Sequence, residues 1–293
     1  MIDEVLTTHA REPVLAERGH IPSLHAPVLA AQASRAPALC LRQVCLSFGG
    51  VQALEDIDFE VRRHEIVAIV GENAAGKSTL AKVMAGVHRP TSGRILSDGA
   101  DVTINSPSAA ARLGIATVFQ DLALADNLDV AANMFLGHEL KRAFILHSEE
   151  MENAARAILD DIGARIPSVR YPVANLSAGQ RQSVAIARAL LAKPRIVVLD
   201  EPTSSLSVTQ TGEVLDLITR MRGLGHAIVF ISHNLADVQA IADRVVVMRH
   251  GRIVGESPMS YVTYEDIVAA ITGATHTLPA PPSTRASRVV GAG

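Results

Sequence analysis

With 293 residues, an apolar fraction of 48% and a formal charge of −3, the chain can bury a sizeable core, and disorder throughout is excluded. The near-neutral balance lacks the strongly basic footprint of a nucleic-acid binder, so no nucleic-acid partner is expected. No segment approaches the ~18 consecutive apolar residues of a membrane span, and the acidic start Met1-Ile2-Asp3-Glu4 lacks the features of a signal peptide.

Residues 1 to about 37 show no sustained period and carry Pro13, Pro22, Pro27 and Pro37, which predicts a flexible extension in which Val28-Leu29-Ala30 could dock locally. Strand-like runs follow at 40–48, 57–61 and 65–70, rich in Val, Ile and Phe. Cys40 and Cys45 are the only cysteines. Their odd separation puts them on opposite faces of the first strand, which argues against a disulfide there and makes a reducing, cytoplasmic compartment the expectation.

Helical composition spans 77–85 and stops at Gly86, a good residue for a helix end. Then come a strand at 115–119, helices near 128–136 and 148–162, and an Ala-rich helix at 178–191. Strands at 195–199, 227–231 and 244–248 alternate with helices at 208–221 and 235–241. Such alternation predicts an α/β fold, a parallel sheet covered by helices on both faces. Arg249-His250-Gly251-Arg252 reads as a hairpin turn closing the domain, with His250 as a turn residue, and residues after about 273 read as a Pro-broken tail.

Between the run Glu65–Val70 and the helix at 77 lies Gly71-Glu72-Asn73-Ala74-Ala75-Gly76-Lys77-Ser78-Thr79, which fits G-x4-G-K-[ST] in its required strand–loop–helix context. Backbone N–H groups of such a loop converge on phosphates at a helix N-terminus. Lys77 would neutralise β- and γ-phosphates, and Ser78 would give an oxygen to Mg²⁺. Ala74 falls at a position the pattern leaves free, where glycine is common. We expect a negative φ there and intact ATP binding; a positive φ would strain the loop by about 1–3 kcal/mol.

The run Arg195-Ile-Val-Val-Leu-Asp200-Glu201 supplies the partner carboxylates: Asp200 to hold Mg²⁺ through water, Glu201 to polarise the attacking water. An acid at a strand end is by itself usually a cap or a solvated edge. Paired with the phosphate loop it predicts an ATPase.

The remaining motifs carry a resemblance. Leu176-Ser177-Ala178-Gly179-Gln180-Arg181-Gln182 resembles the signature segment of ABC-transporter ATPases. Phe119-Gln120 looks like their glutamine loop, Asp200-Glu201-Pro202-Thr203-Ser204 like their second nucleotide motif, and Ile231-Ser232-His233 like their switch histidine. Phe48 stands where the family stacks an aromatic on adenine. Taken singly, Gln120, His233 and Phe48 would be an ordinary polar residue, a capping or buried histidine and a core aromatic, and Ser177 a helix cap. Their order along about 38–272 reverses that reading.

The resemblance implies a P-loop NTPase of the ABC type, with a RecA-like core, an antiparallel β subdomain and a helical subdomain at about 121–175, all within an ATPase domain at 38–273. It implies ATP and Mg²⁺ as ligands, metal binding by Ser78, Gln120 and Asp200, and turnover by Glu201, His233 and Gln120. Two nucleotide domains would face head to tail, Ser177, Gly179 and Gln180 of one approaching the γ-phosphate held by residues 71–79 of the other. Two departures stand out. Ala178 replaces a signature glycine, and Ser207 occupies the place of a frequent aspartate, which puts subunit-to-subunit signalling in question.

The Gly-Glu-Asn loop start, Phe48-Gly-Gly-Val-Gln-Ala-Leu54, and the segments 231–238 and 241–244 look like ATPases of bacterial monosaccharide importers of the ribose, xylose or fructose type. Each motif occurs once, so the chain resembles single-domain members that pair with a second nucleotide-binding subunit, in the simplest case another copy. The implied partners are transmembrane permease subunits and, indirectly, a periplasmic or lipid-anchored solute-binding protein, with the chain peripheral on the cytoplasmic side of the membrane. Leu122, Leu124, Val130, Met134, Phe135 and Leu136 are candidate permease contacts or, by burial preference, subdomain core. The alternatives are an importer of amino acids or other small solutes and a soluble ABC ATPase; the missing coiled-coil insertion and basic patches weigh against the latter.

Overall fold

The computed structural model describes residues 36–142, 145–275 and 277–279. Most of the extension expected at 1–37, including Val28–Ala30, and most of the tail expected at 274–293 lie outside the described residues.

Two sheets organise the chain. The six-stranded sheet has the order β12-β11-β3-β10-β9-β6. It is made of β3 (Ile66–Val70), β6 (Ile115–Val118), β9 (Ile196–Asp200), β10 (Ala227–Ile231), β11 (Arg244–Arg249) and β12 (Arg252–Pro258). Only β12 runs antiparallel to its neighbour. The other sheet is antiparallel, with β2 (Val51–Val61), β1 (Leu39–Phe48), β4 (Ser92–Ser97) and β5 (Ala100–Val102) in that spatial order.

Every residue of β3, β9 and β10 is buried, as the unbroken apolar runs require of parallel strands covered on both faces. Side chains alternate between the two faces, so β3 feeds two cores. Ile66, Ala68 and Val70 join the apolar layer of the helices, whereas Val67 and Ile69 join the layer under the antiparallel sheet. Around the sheet lie α1 (Lys77–Met84), α2 (Pro107–Arg112), α3 (Val130–Phe135), α4 (Ser148–Asp161), α5 (Ala178–Leu190), α6 (Val208–Gly223), α7 (Leu235–Ile241) and α8 (Tyr264–Thr272). The stretch 121–175 holds α3, the short hairpin β7 (Lys141–Arg142) and β8 (Ile145–Leu146), and α4.

Of the side chains left open between permease contact and subdomain core, Val130, Met134 and Phe135 are core, while Leu136 is exposed. Two expectations are revised. Leu278, expected in the tail, is buried against Gly255, and the Ser257 hydroxyl bonds Pro279 O. β2 begins at Val51 rather than near Ile57, because shifts in its pairing with β1 interrupt the alternation that marks a strand. The two cysteines are free, Cys40 buried and Cys45 half-buried. The turn at 249–252 is the expected hairpin, Arg249 pairing with Arg252.

Across the first sheet's base, Arg244 is 2% exposed and Glu65 9%. The guanidinium donates to both Glu65 oxygens (2.7 and 2.9 Å), to Glu256 Oε1 (2.8 Å) and to Glu60 O (2.7 Å). Burial works against its charge, but the two carboxylates outweigh it and hold Arg244 above the usual arginine value.

Candidate functional site

The loop after β3 is shaped by its neighbours. Gly71 has φ +153°, and a Cβ there would sit 2.1 Å from Met248 O of β11, so no side chain fits. Gly76 (φ +101°) precedes α1 and packs on Ala53. The hairpin of β11 and β12 braces the loop from outside, the Gly251 N–H donating to Ala75 O at 3.0 Å.

Ala74 has φ +63°. The expected negative φ is therefore corrected: the chain reverses here in the left-handed region, where Cβ meets its own carbonyl, at about 1–2 kcal/mol. That strain resides in the folded backbone that presents the loop's N–H groups. Ala74→Gly is accordingly expected to gain up to ~1 kcal/mol in urea unfolding, strain relief less the added freedom of the unfolded glycine, with ATP affinity little changed.

Lys77 is buried, and its ammonium donates to Gly71 O and Glu72 O, both at 2.9 Å. Burial lowers its pKa, while Glu201 and Asp200 pull it back up. Ser78 Oγ donates to Asp200 Oδ1 at 3.1 Å. Burial raises the Asp200 pKa, opposed by that hydrogen bond and reinforced by Glu201.

A carboxylate whose pKa is raised on folding binds protons more readily in the native state. Its ionised form thus weighs against the fold at neutral pH, and this cost fades as pH falls toward the unfolded value. Asp200→Asn is expected to raise Tm by a few degrees at pH 7 in protein assayed without nucleotide, with the gain shrinking toward pH 4. Turnover should fall in the same variant.

Glu201 follows β9 with φ +54°, held by its N–H to Ile231 O (3.0 Å) and by Ser204 N and Oγ on its own carbonyl (3.2 and 2.8 Å). Such a backbone is costly and persists where neighbours over-determine it. Its Oε2 lies 2.5 Å from His233 Nδ1, which comes from the loop after β10.

Lys77, Ser78, Glu201 and His233 line one cleft of about 650 Å³, with Asp200 buried behind Ser78 and outside the lining. Asn73, Ala74, Ala75, Gly76, Lys77, Ser78 and Thr79 form its floor, and Gln120, Glu201 and His233 one wall. Phe48 also lines the cleft, 48% exposed, with the His88 ring edge-on at 5.0 Å. Gly71 and Glu72 supply carbonyls to Lys77 and face a neighbouring cavity instead. The sequence did not point to Val51, Gln52, Ala53 and Gly251, which complete the lining; the His250-Gly251 turn was visible, but its approach to the loop is tertiary.

Ser177, Gly179 and Gln180 do not reach this cleft. They cap α5: Gln180 N donates to Ser177 Oγ (3.2 Å), and Gln180 Oε1 accepts from Ser177 N (3.0 Å). Gln180 Nε2 donates to Arg165 O (3.0 Å), so this side chain is committed within its own subunit. The Ser177 hydroxyl keeps its hydrogen to donate. Ser207 makes a second capping box with Gln210 at the start of α6, which gives the residue in the aspartate's place a local function.

The donor set suits Mg²⁺, a hard ion that takes few protein oxygens and keeps its waters and substrate phosphates. A hydroxyl and a carboxylate already meet at Ser78–Asp200, and no cluster of three His, Cys, Asp or Glu occurs among the described residues that would make a self-sufficient cage.

The chain is similar to known proteins in sequence and fold. The ABC transporter family profile matches residues 54–204. The xylose/arabinose import ATP-binding protein of Sulfolobus acidocaldarius is 38% identical over 79% of this chain and 92% of its own length. The ribose import ATP-binding protein of Yersinia pestis is 41% identical over 82% of this chain, which spans about half (47%) of that relative. Among solved structures, an ATP-binding cassette of an ABC transporter in its ADP conformation superposes with TM-score 0.69 at 26% identity, covering 80% of this chain and 95% of that one. CbiO1 of Clostridium perfringens, part of an ABC transporter complex, gives TM-score 0.69 at 29% identity over 82% and 95%. With the phosphate loop, the second nucleotide motif and the capped signature helix in one fold, the chain belongs to the ATP-binding family of ABC transporters.

Proposed function

We propose that this chain is the ATP-hydrolysing subunit that energises an ABC importer for a monosaccharide. The observation that carries the ATPase reading is the meeting of Lys77, Ser78, Gln120, Glu201 and His233 in one cleft. The sugar reading is supported by the xylose/arabinose and ribose import relatives.

In this mechanism adenine stacks on Phe48 and the triphosphate lies along the loop N–H groups at the start of α1. Lys77 exchanges two loop carbonyls for β- and γ-phosphate oxygens, so its charge is never left bare. Ser78, Gln120 and, through water, Asp200 would hold Mg²⁺, which when bound neutralises developing phosphate charge. Glu201 accepts the proton of the attacking water. His233 keeps that carboxylate aimed through Nδ1 and retains Nε2 for a phosphate oxygen.

One chain leaves the γ-phosphate open on the side where Ser177 and Gly179 should act. A second subunit, in the simplest case another copy, would present the N-terminus of its α5 there, adding a helix dipole and a serine hydroxyl. On this reading 38–273 is the ATPase domain, 121–175 its helical subdomain facing the permease, and the chain is peripheral at the cytoplasmic side of the membrane. No helix among the described residues is long and apolar enough to cross a membrane.

The test is Mg-ATP turnover by the purified chain, then sugar uptake by vesicles holding it with its permease. Lys77→Ala should weaken ATP binding itself by tenfold or more, since an ammonium on phosphate is worth about 1.5–3 kcal/mol. An ATPase that never co-purifies with a permease and ignores membranes would sink the importer reading.

A further inference from the structure

Glu201 and His233 stand on loops that leave neighbouring strands, Asp200 at the end of β9 pairing with Ile231 at the end of β10. Their 2.5 Å contact cannot hold itself in place, because His233 is 61% exposed. A second link joins the same two loops; its Thr203–Asp237 half is buried, while Asn234, which completes it, is exposed. Thr203 Oγ1 donates to Asp237 Oδ2 at 2.6 Å, and Asn234 Nδ2 donates to Asp237 Oδ1 at 3.0 Å. Asn234 also caps α7 through Ala236 N (3.0 Å), and its own N–H donates to Ser232 Oγ (3.0 Å). Thr203 is 8% exposed and Asp237 6%.

Asp237 has no lysine or arginine partner within 4.0 Å among the described residues. Its charge is met by the first turn of α7 and by these two donors. A carboxylate is suited to this place because each of its oxygens accepts from a different side. One takes the hydroxyl two residues beyond Glu201, the other the amide next to His233.

Resting on the ATPase reading above, we propose that Asp237 is a positioning residue for hydrolysis: with Thr203 it ties the Glu201 loop to the His233 loop and so sets the distance between carboxylate and imidazole. A misplacement of order 1 Å at a reacting group can cost 10²-fold in rate, so the link should govern turnover and leave ATP binding alone. Neither residue lines the nucleotide cleft.

Thr203→Val removes the hydroxyl at constant shape, and Thr203→Ser restores it. Full-length protein is assayed for kcat and KM with Mg-ATP, and the His233 ring resonances are recorded by NMR without nucleotide. The expected result for Val is a kcat at least tenfold lower, an unchanged KM and displaced His233 signals, with Ser close to wild type in all three. Adding Thr203→Val to Asp237→Ala should cause no further loss. The proposal is overturned by a Val variant with wild-type kcat and His233 signals, by equal losses in Val and Ser, by a change confined to KM, or by additive effects in the double variant. A wild-type chain without ATPase would refute the function proposed above; the NMR comparison of Val with Ser would still decide the link.

Discussion

Glu201→Gln is expected to bind ATP at least as tightly as the wild type, to lose turnover by about 10²–10⁴-fold, and to accumulate as a nucleotide-bound dimer. The amide has the shape of the carboxylate and can still bond His233 through either of its polar atoms, so the wall of the cleft survives. What is lost is the carboxylate assigned to take the proton of water. What is also lost is a negative charge beside Lys77 and Asp200, whose proton affinities Glu201 raises. Removing it eases the approach of a polyanionic substrate. Equilibrium ATP binding, steady-state phosphate release and size-exclusion chromatography with ATP check the three parts. Unchanged turnover would strip Glu201 of its assigned role.

Arg244→Ala should be the most damaging single change to the fold, at about 3–5 kcal/mol, because it leaves the buried Glu65 carboxylate without its counter-charge. That is a large share of the ~5–15 kcal/mol a domain possesses. Thermal melting should fall by about 10 °C. The arginine also closes the Glu60 carbonyl, so the antiparallel sheet loosens from the parallel one. Arg244→Met combined with Glu65→Gln removes both charges and should recover most of the loss, since an apolar or neutral pair costs less to bury than one stranded ion. A single variant melting within a degree or two of wild type would show that the cluster is hydrated enough to be dispensable.

The parallel strands were legible because burial on both faces leaves unbroken apolar runs, as in Ile66–Val70 and Ile196–Leu199. The phosphate loop was legible because its chemistry fixes residue types in sequence order. The polar and the shortest strands escaped: Ser92–Ser97 is half polar and is held in place between β1 and β5, and Lys141–Arg142 with Ile145–Leu146 is too short to show a period. Tyr264–Thr272 was readable and missed, since Thr263 and Asp266 form a capping box before an apolar run. The box of Ser207 and Gln210 was equally visible, hidden by comparison with an expected aspartate.

Backbone sign was not legible. Ala74 turns left in a loop braced by Met248 O against Gly71 and by the Gly251 N–H on Ala75 O, and those residues lie far away in sequence. The Asp237 link was hidden for the same reason, its partners coming from two loops that only the sheet brings together.

The central strand β3 also sets a timetable for synthesis. Ile66 pairs with Ile228, 162 positions further along, and the turn bracing the phosphate loop comes later still, at Gly251. At about 5–20 residues per second, a ribosome needs roughly 10–40 s to deliver those partners after β3 has emerged. Throughout that interval the nascent Ile66–Val70 segment can pack Val67 and Ile69 against the earlier strands but has no ladder partner, which leaves its backbone edges open to other chains.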